Sequence, residues 1–414
     1  MPAEKPVDAG KEIAIMLRGK NIVLGICGGI AAYKAAELTR EMIKRGANVR
    51  VIMTKNAMEF ITPLTLQVLC SHTVFTDMFR QDVYDINHIS LAEFADALVI
   101  APATANIIGK ISAGIADDLL TTVSMATRSP ILICPAMNTN MYINPIVQEN
   151  MERLKAKGYQ FVSPAHGELA CKTEGVGRLA DIHDIVGGLE SALTVKDLAG
   201  ERILVTAGPT REPFDPVRFI TNYSSGKMGY ALAIMACRRG ADVTLISGPT
   251  ALPEPPNVHF VSVSSAQEMR DAVMKHFEEA TVVIKAAAVA DYRPCTIANN
   301  KIKKTKGPLV VELERNPDII AEISKKKGNR IIVGFAMETE NLLENAVSKL
   351  KEKDMDFIVA NDLREPGAGF QCDTNVIKIL GCDGSVEALS LMEKHDVADQ
   401  ILNRVKQLRD NRHG

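Results

Sequence analysis

The sequence predicts an α/β protein made of two doubly wound, Rossmann-like domains, and three observations lead there. The chain has 414 residues, more than one ordinary core holds. Short apolar runs alternate with segments of helical period, the signature of parallel strands covered on both faces. The alternation pauses after Val186 and restarts at Arg202, and the first run on each side ends in a glycine turn, Gly28-Gly29 and Gly208-Pro209.

The first half opens with a strand over Asn21–Cys27, a helix over Ala31–Arg45 stopped by Gly46, and a second strand over Asn48–Thr54. Further strands are expected at Ala97–Ala101, Ile131–Cys134 and Gln160–Val162. Helices fall near Pro63–Leu69, Ile89–Phe94, Asn106–Ile111, Asp117–Ala126 and Pro145–Lys157. Gly187-Gly188 and the stretch to Gly200 read as a helix end and a linker. The second half has strands at Arg202–Thr206, Asp242–Ile246, Thr281–Ala286, Arg330–Gly334 and Asp356–Ala360. A helix covers Lys227–Arg239 and a final one about Leu389–Leu408. Domains of 1–190 and 191–414 are expected.

Basic and acidic residues number 48 and 50, so net charge gives no reason to expect nucleic acid or an anionic membrane as partner. No long apolar run precedes a cleavage-like site or reaches membrane-spanning length, and the expectation is a cytosolic protein. The eight cysteines form no CxxC pair, so no metal site is expected. Cys27 and Cys134 lie in apolar runs and read as small buried hydrophobes. Cys171 lies in a Gly-rich polar stretch and does not.

In the first half, Gly28-Gly29-Ile30 joins a strand to a helix, where a phosphate can approach the backbone; a tight structural turn explains two glycines equally. Thr54 stands where a dinucleotide site would carry an acid, so a mononucleotide such as FMN fits better than NAD. Ala103-Thr104-Ala105-Asn106 can offer polar groups at a strand end, or Thr104 is a helix N-cap. His88 is a candidate proton carrier. Asn138 is either an amide donor to a carboxylate or the cap of the next helix. Cys171 sits on a glycine-flanked loop with Lys172 and Arg178 near it in sequence, so it is either a reactive acid or an ordinary exposed thiol.

In the second half, Asn222-Tyr223-Ser224-Ser225-Gly226-Lys227 leads into a helix and makes an anion cradle, but it is no Walker A motif, because Thr221 replaces the first glycine and Met228 follows the lysine. Lys301-Ile302-Lys303-Lys304 is either a triphosphate-binding loop or a solvated basic run.

GGIAAYK, the NHIxL histidine, PAMNxxM and the AC…GxGR loop, in this order and spacing, resemble the phosphopantothenoylcysteine decarboxylases over residues 20–185. GPTREPxDPVRxIxNxSSGKMG, AAAVAD, KIKK, NPDI and GFAxET resemble the CTP-using phosphopantothenate–cysteine ligases over residues 201–375. The resemblance implies an N-terminal flavodoxin-like FMN domain and a C-terminal CTP-binding ligase domain. It implies that 4′-phosphopantothenate and cysteine are joined using CTP and Mg²⁺ through an acyl-cytidylate. The product is then decarboxylated to 4′-phosphopantetheine. His88 corresponds to the base, Asn138 to the binder of the substrate carboxylate and Cys171 to the acid. Lys301 corresponds to the lysine of the activation step and Asn222 to a residue needed for turnover of the acyl-cytidylate. Asp291, the Pro317-Asp318-Ile319-Ile320 turn, Phe335, Lys349 and Lys353 correspond to CTP-contacting positions. A homo-oligomer is implied, trimer-based in the first half and dimeric in the second, up to a dodecamer. The chain departs from the family pattern at Lys172, where glycine is usual. Against a pair of nicotinamide-binding domains stand the missing GxGxxG and ribose acid; against a flavin-binding regulator without chemistry stand His88 and Cys171.

Overall fold

The structure, a computed structural model, describes residues 17–79, 87–168, 174–303, 309–338, 342–362, 369 and 371–413. The chain divides into two compact units, Met1–Thr194 and Val195–Gly414.

In unit 1 the elements are β1 (Asn21–Ile26), α1 (Lys34–Lys44), β2 (Asn48–Met53), α2 (Pro63–Cys70), α3 (Asn87–Phe94), β3 (Ala97–Ala103), α4 (Ala105–Ala113) and α5 (Leu119–Ala126). They continue with β4 (Ile131–Pro135), α6 (Thr139–Tyr142), α7 (Pro145–Lys155), β5 (Gln160–Phe161), β6 (Ala165–Glu168), β7 (Glu174–Arg178) and α8 (Ile182–Leu193). The sheet order is β2-β1-β3-β4-β5, all parallel, the flavodoxin-like arrangement with its switch point between β1 and β3. Alternation along β1 builds both faces: Ile22, Leu24 and Ile26 enter one core, Val23 and Cys27 the other. Cys27 and Cys134 are buried; burial pushes the Cys27 thiol up to about 12 and that of Cys134 in the same direction.

The helix end and linker expected from Gly187 come later, because α8 runs on to Leu193 and only residues 194–200 are left as a non-helical connection. Gly187 and Gly188 lie inside that helix, and a Cβ on Gly188 would come within 2.8 Å of Val162 and 3.5 Å of Leu132. The glycine lets the helix lie close on the sheet, which local propensity cannot anticipate. Arg45, the C-cap of α1, fastens the far turn, reaching buried Glu190 at 2.8 Å while holding Glu41 at 3.0 Å.

Unit 2 begins with β8 (Arg202–Ala207), β9 (Arg211–Pro213), β10 (Phe219–Thr221), α9 (Lys227–Arg238), β11 (Asp242–Ser247), β12 (His259–Ser262) and α10 (Ala266–Phe277). It continues with β13 (Val282–Lys285), β14 (Tyr292–Pro294), β15 (Leu313–Arg315), α11 (Ile319–Ser324), β16 (Ile331–Glu338) and α12 (Leu342–Glu352). It ends with β17 (Phe357–Asp362), β18 (Thr374–Gly381), β19 (Val386–Glu393) and α13 (Lys394–His413). The main sheet runs β12-β11-β8-β13-β16-β17-β18-β19, with the switch point between β8 and β13. Two short ribbons, β9–β10 and β14–β15, stand apart from it.

Two expectations are corrected in this unit. The sheet is not parallel throughout: β17, β18 and β19 pair antiparallel. The final helix does not start near Leu389, because Val386–Glu393 is a strand and α13 starts at Lys394. Val386–Glu393 is an edge strand with most of its side chains in water, so its apolar residues are too sparse to announce a period of two. The better signal was Asp383-Gly384, a hairpin turn pair in which Gly384 takes φ +83°. Among the described residues no helix is long and apolar enough to cross a membrane.

Candidate active site

In unit 1 the carboxyl ends of β1, β2, β3 and β4 form one edge. Cys27 N–H donates to Pro102 O at 3.2 Å, Thr54 N–H to Ile26 O at 3.0 Å and Ala136 N–H to Ala103 O at 2.9 Å. This edge carries Gly28, Gly29, Ile30, Thr54, Ala103, Thr104 and Asn106, and open α/β sheets bind ligands there. Gly28 is explained by packing: a Cβ would meet Asn56 Cβ at 2.4 Å and its carbonyl carbon at 2.7 Å. Gly29 faces open space, with the Thr104 methyl at 3.9 Å its nearest neighbour outside the adjoining chain. Thr104 caps α4, accepting from Ile107 N–H at 3.4 Å, so its structural reading holds. Thr54 Oγ1 is buried without a partner. An orphaned hydroxyl and a side-chain-free strand end at a switch point suit a phosphate-bearing ring ligand.

Asn138 caps α6, its side chain accepting from Asn140 N–H at 2.9 Å, and it is exposed. The β6–β7 hairpin lies on this loop. Met137 N–H donates to Gly177 O at 2.9 Å, and a Cβ on Gly177 would sit 2.2 Å from Met137 O. Thr139 Oγ1 is a second buried hydroxyl without a partner. Cys171 and Lys172, between the two strands of this hairpin, lie outside the described residues. His88 is the second residue of α3 and half-buried.

In unit 2 a cleft of about 510 Å³ opens at the carboxyl end of β13 and β16. Asp291, Pro317, Asp318, Ile320, Phe335, Lys349 and Lys353 all line it, brought from four separate segments. Ile319 does not; it is buried beneath, 1 % exposed. Lys353 follows the last residue of α12, yet its N–H still donates to Lys349 O at 3.1 Å, so the two lysines keep one helical face. Lys353 Nζ meets Asp318 Oδ2 at 2.9 Å, and Asp318 Oδ1 caps α11 through Ala321 N–H. Burial works against the Asp318 carboxylate, but these two donors hold it below the usual range. Asn316 secures the floor, its N–H donating to Asp291 O at 2.8 Å and its Nδ2 to Ala290 O at 2.9 Å.

A second cleft of about 610 Å³ lies at the amino end of α9, lined among others by Arg211, Asn222, Ser224, Ser225, Lys227 and Thr250. Asn222 bridges towards the first cleft, Nδ2 donating to Ala288 O at 2.8 Å. Lys301 lines neither cleft and is exposed. Its neighbour Ile302 is pinned: its N–H donates to Asp215 Oδ2 at 3.2 Å and its carbonyl accepts from Arg218 at 2.9 Å. The Arg218 guanidinium beside the buried Asp215 holds that carboxyl far below the usual range.

Residues 12–194 match the family described as flavoprotein, and residues 198–408 match the DNA/pantothenate metabolism flavoprotein C-terminal domain. The coenzyme A biosynthesis bifunctional protein CoaBC of Bacillus subtilis (strain 168) is 47% identical over 95% of this chain and 98% of its own. That of Escherichia coli (strain K12) is 44% identical over 93% and 96%. The chain belongs to the bifunctional proteins of coenzyme A biosynthesis. Unit 1 holds its flavoprotein decarboxylase domain and unit 2 its ligase domain. A crystal structure of the C-terminal domain of a CoaBC protein is 45% identical, covering 52% of this chain and 99% of that one, with a TM-score of 0.46.

Lys285 and Arg315 line the smaller cleft without having stood out in the sequence, and Asn316, the first residue of the NPDI motif, lines it too. Lys285 left a usable signal, a cation ending the otherwise apolar Val282–Lys285 run. Arg315 left none, because a ribbon far along the chain brings it in.

Proposed function

We propose that the ligase domain joins 4′-phosphopantothenate to cysteine with CTP, and that the decarboxylase domain converts the product to 4′-phosphopantetheine with FMN, in the cytosol. The observation that carries this reading is the convergence of Asp291, Asp318, Phe335, Lys349 and Lys353 on one cleft.

In ligation the phosphopantothenate carboxylate attacks the α-phosphorus of CTP, forming the acyl-cytidylate and releasing pyrophosphate. The cysteine amine then attacks the acyl carbon and CMP leaves. Lys349 and Lys353 offset phosphate charge, Asn222 orients the acyl-cytidylate, and Lys301 acts in activation. Mg²⁺ enters on the triphosphate as part of the substrate and offsets its charge.

In decarboxylation the open Gly29 turn, Ile30, Ala103, Thr104, Asn106 and the unpartnered Thr54 hydroxyl are the residues that would hold FMN. When bound, FMN supplies a two-electron acceptor that is restored within the cycle, so no nicotinamide is consumed. His88 takes the proton as the cysteine moiety is oxidised, Asn138 holds the carboxylate that leaves as CO₂, and Cys171 returns a proton to the enethiolate. A trimer-based decarboxylase half and a dimeric ligase half, up to a dodecamer, complete the reading.

Mass spectrometry of one mixture tests it: purified protein with 4′-phosphopantothenate, cysteine, CTP and Mg²⁺. The expected product is 4′-phosphopantetheine. Absence of any product from FMN-loaded protein would overturn the reading.

A further inference from the structure

Strand β13 ends in a residue its own face does not call for. Val283 and Lys285 point to the same side of the sheet, and Val283 belongs to the apolar core there, with Ile320, Leu350 and Ile358. Lys285 continues that face to the point where the core opens into the 510 Å³ cleft. The register places it beside Thr206 of β8 and Gly334 of β16, at the carboxyl end of the central strands.

The electrostatic environment of Lys285 contains no hydrogen bond. Its influences are burial, which lowers its pKa to about 8, then the charges of Asp318, Lys353 and Asp291. Asp318 is already engaged by Lys353 at 2.9 Å. The other charged or titratable groups facing the cleft are Tyr292 from β14, Arg315 from β15 and Lys349 from α12. Cations outnumber acids there, and no acceptor among the described residues is bonded to this ammonium. A half-buried cation without an acceptor is held at a cost that an anionic ligand would relieve.

We propose that Lys285 is a further nucleotide-binding residue of the ligase domain, its ammonium donating to an anionic phosphate oxygen of the bound nucleoside triphosphate. This rests on the reading of the cleft as the nucleotide site. Binding then favours the protonated amine, so nucleotide binding takes up a proton at mildly alkaline pH. Free protein with an amine near pKa 8 binds about tenfold more weakly at pH 9 than at pH 7 through this group alone.

Titration calorimetry on the full chain tests this, with CTP and Mg²⁺ at pH 7 and pH 9, in two buffers of different ionisation enthalpy. Wild type should take up a proton at pH 9 and show the alkaline loss of affinity. Lys285→Arg, charged at both pH values, should keep affinity and lose both the proton uptake and the pH dependence. Lys285→Met should bind about tenfold more weakly at pH 7 with no uptake. Cytidine, which has no phosphate, should bind wild type and Lys285→Met alike. Unchanged affinity in Lys285→Met, an alkaline loss retained in Lys285→Arg, or a Lys285 dependence for cytidine would each overturn the proposal and leave the nucleotide cleft standing. Failure of wild type to bind CTP would overturn both.

Discussion

His88 and Lys301 belong to different units and are proposed to serve different reactions, so their substitutions should separate. His88→Asn should lower decarboxylation by about 10²-fold or more and leave ligation intact, as removal of a general base does. Lys301→Gln should do the reverse. Both are read by following CO₂ and CMP release from the same preparation; loss of both activities in either folded variant would refute two independent sites. Asn138 tests a double duty. Its side chain caps α6, so Asn138→Asp should keep the cap while placing a negative charge where the substrate carboxylate is proposed to bind. Decarboxylation should fall with little change in melting temperature. A parallel loss of stability would mean that capping alone explains the residue.

Helix α8 depends on one close approach. Gly188→Val would drive side-chain atoms into Val162 and Leu132, which already lie 2.8 Å and 3.5 Å from a bare Cβ. Overpacking of this kind costs about 1–3 kcal/mol, visible as an earlier transition of the decarboxylase domain in denaturant. The β6–β7 hairpin makes a second such point. Gly177 sits at φ +141° with Met137 O 2.2 Å from a Cβ, so Gly177→Ala should displace the hairpin from the Asn138 loop. Decarboxylation should suffer more than stability, as measured by CO₂ release against thermal melting.

The two units differ in how acid acts on them. Carboxyls held below their usual range include Asp117 in unit 1 and Asp215, Asp318, Asp373 and Asp383 in unit 2. A depressed carboxyl adds stability above its unfolded pKa and loses it as pH falls through the folded value. Asp396, raised by burial and Asp399, acts the opposite way in unit 2 but is one against four. Below about pH 4 the ligase domain should therefore lose melting temperature more steeply than the decarboxylase domain. Calorimetry across pH 3 to 6 would show it; parallel decline of both transitions would mean these carboxylates are matched in the unfolded chain.

Periodicity established the five strands of the first sheet and β8, β11, β13, β16 and β17 of the second, since apolar spacing is dictated by which face must leave water; β12, β18 and β19 escaped it. The glycine turns marked strand ends, one carrying the open Gly29 turn and the other bordering the 610 Å³ cleft, and the sequence motifs already held Asp291, Asp318, Phe335, Lys349 and Lys353 of the smaller cleft. Tertiary structure alone decided three things. It kept α8 helical through Gly187 and Gly188, because the close approach to Val162 is a contact between distant segments. It turned Val386–Glu393 into an edge strand, because pairing with β18 outweighs a weak local pattern. And it brought Lys285 and Arg315 into the cleft, since a ribbon and a strand end far apart in the chain meet only when the sheet is wound. Local sequence carries the period of an element; which elements face one another is settled by burial summed over the whole unit.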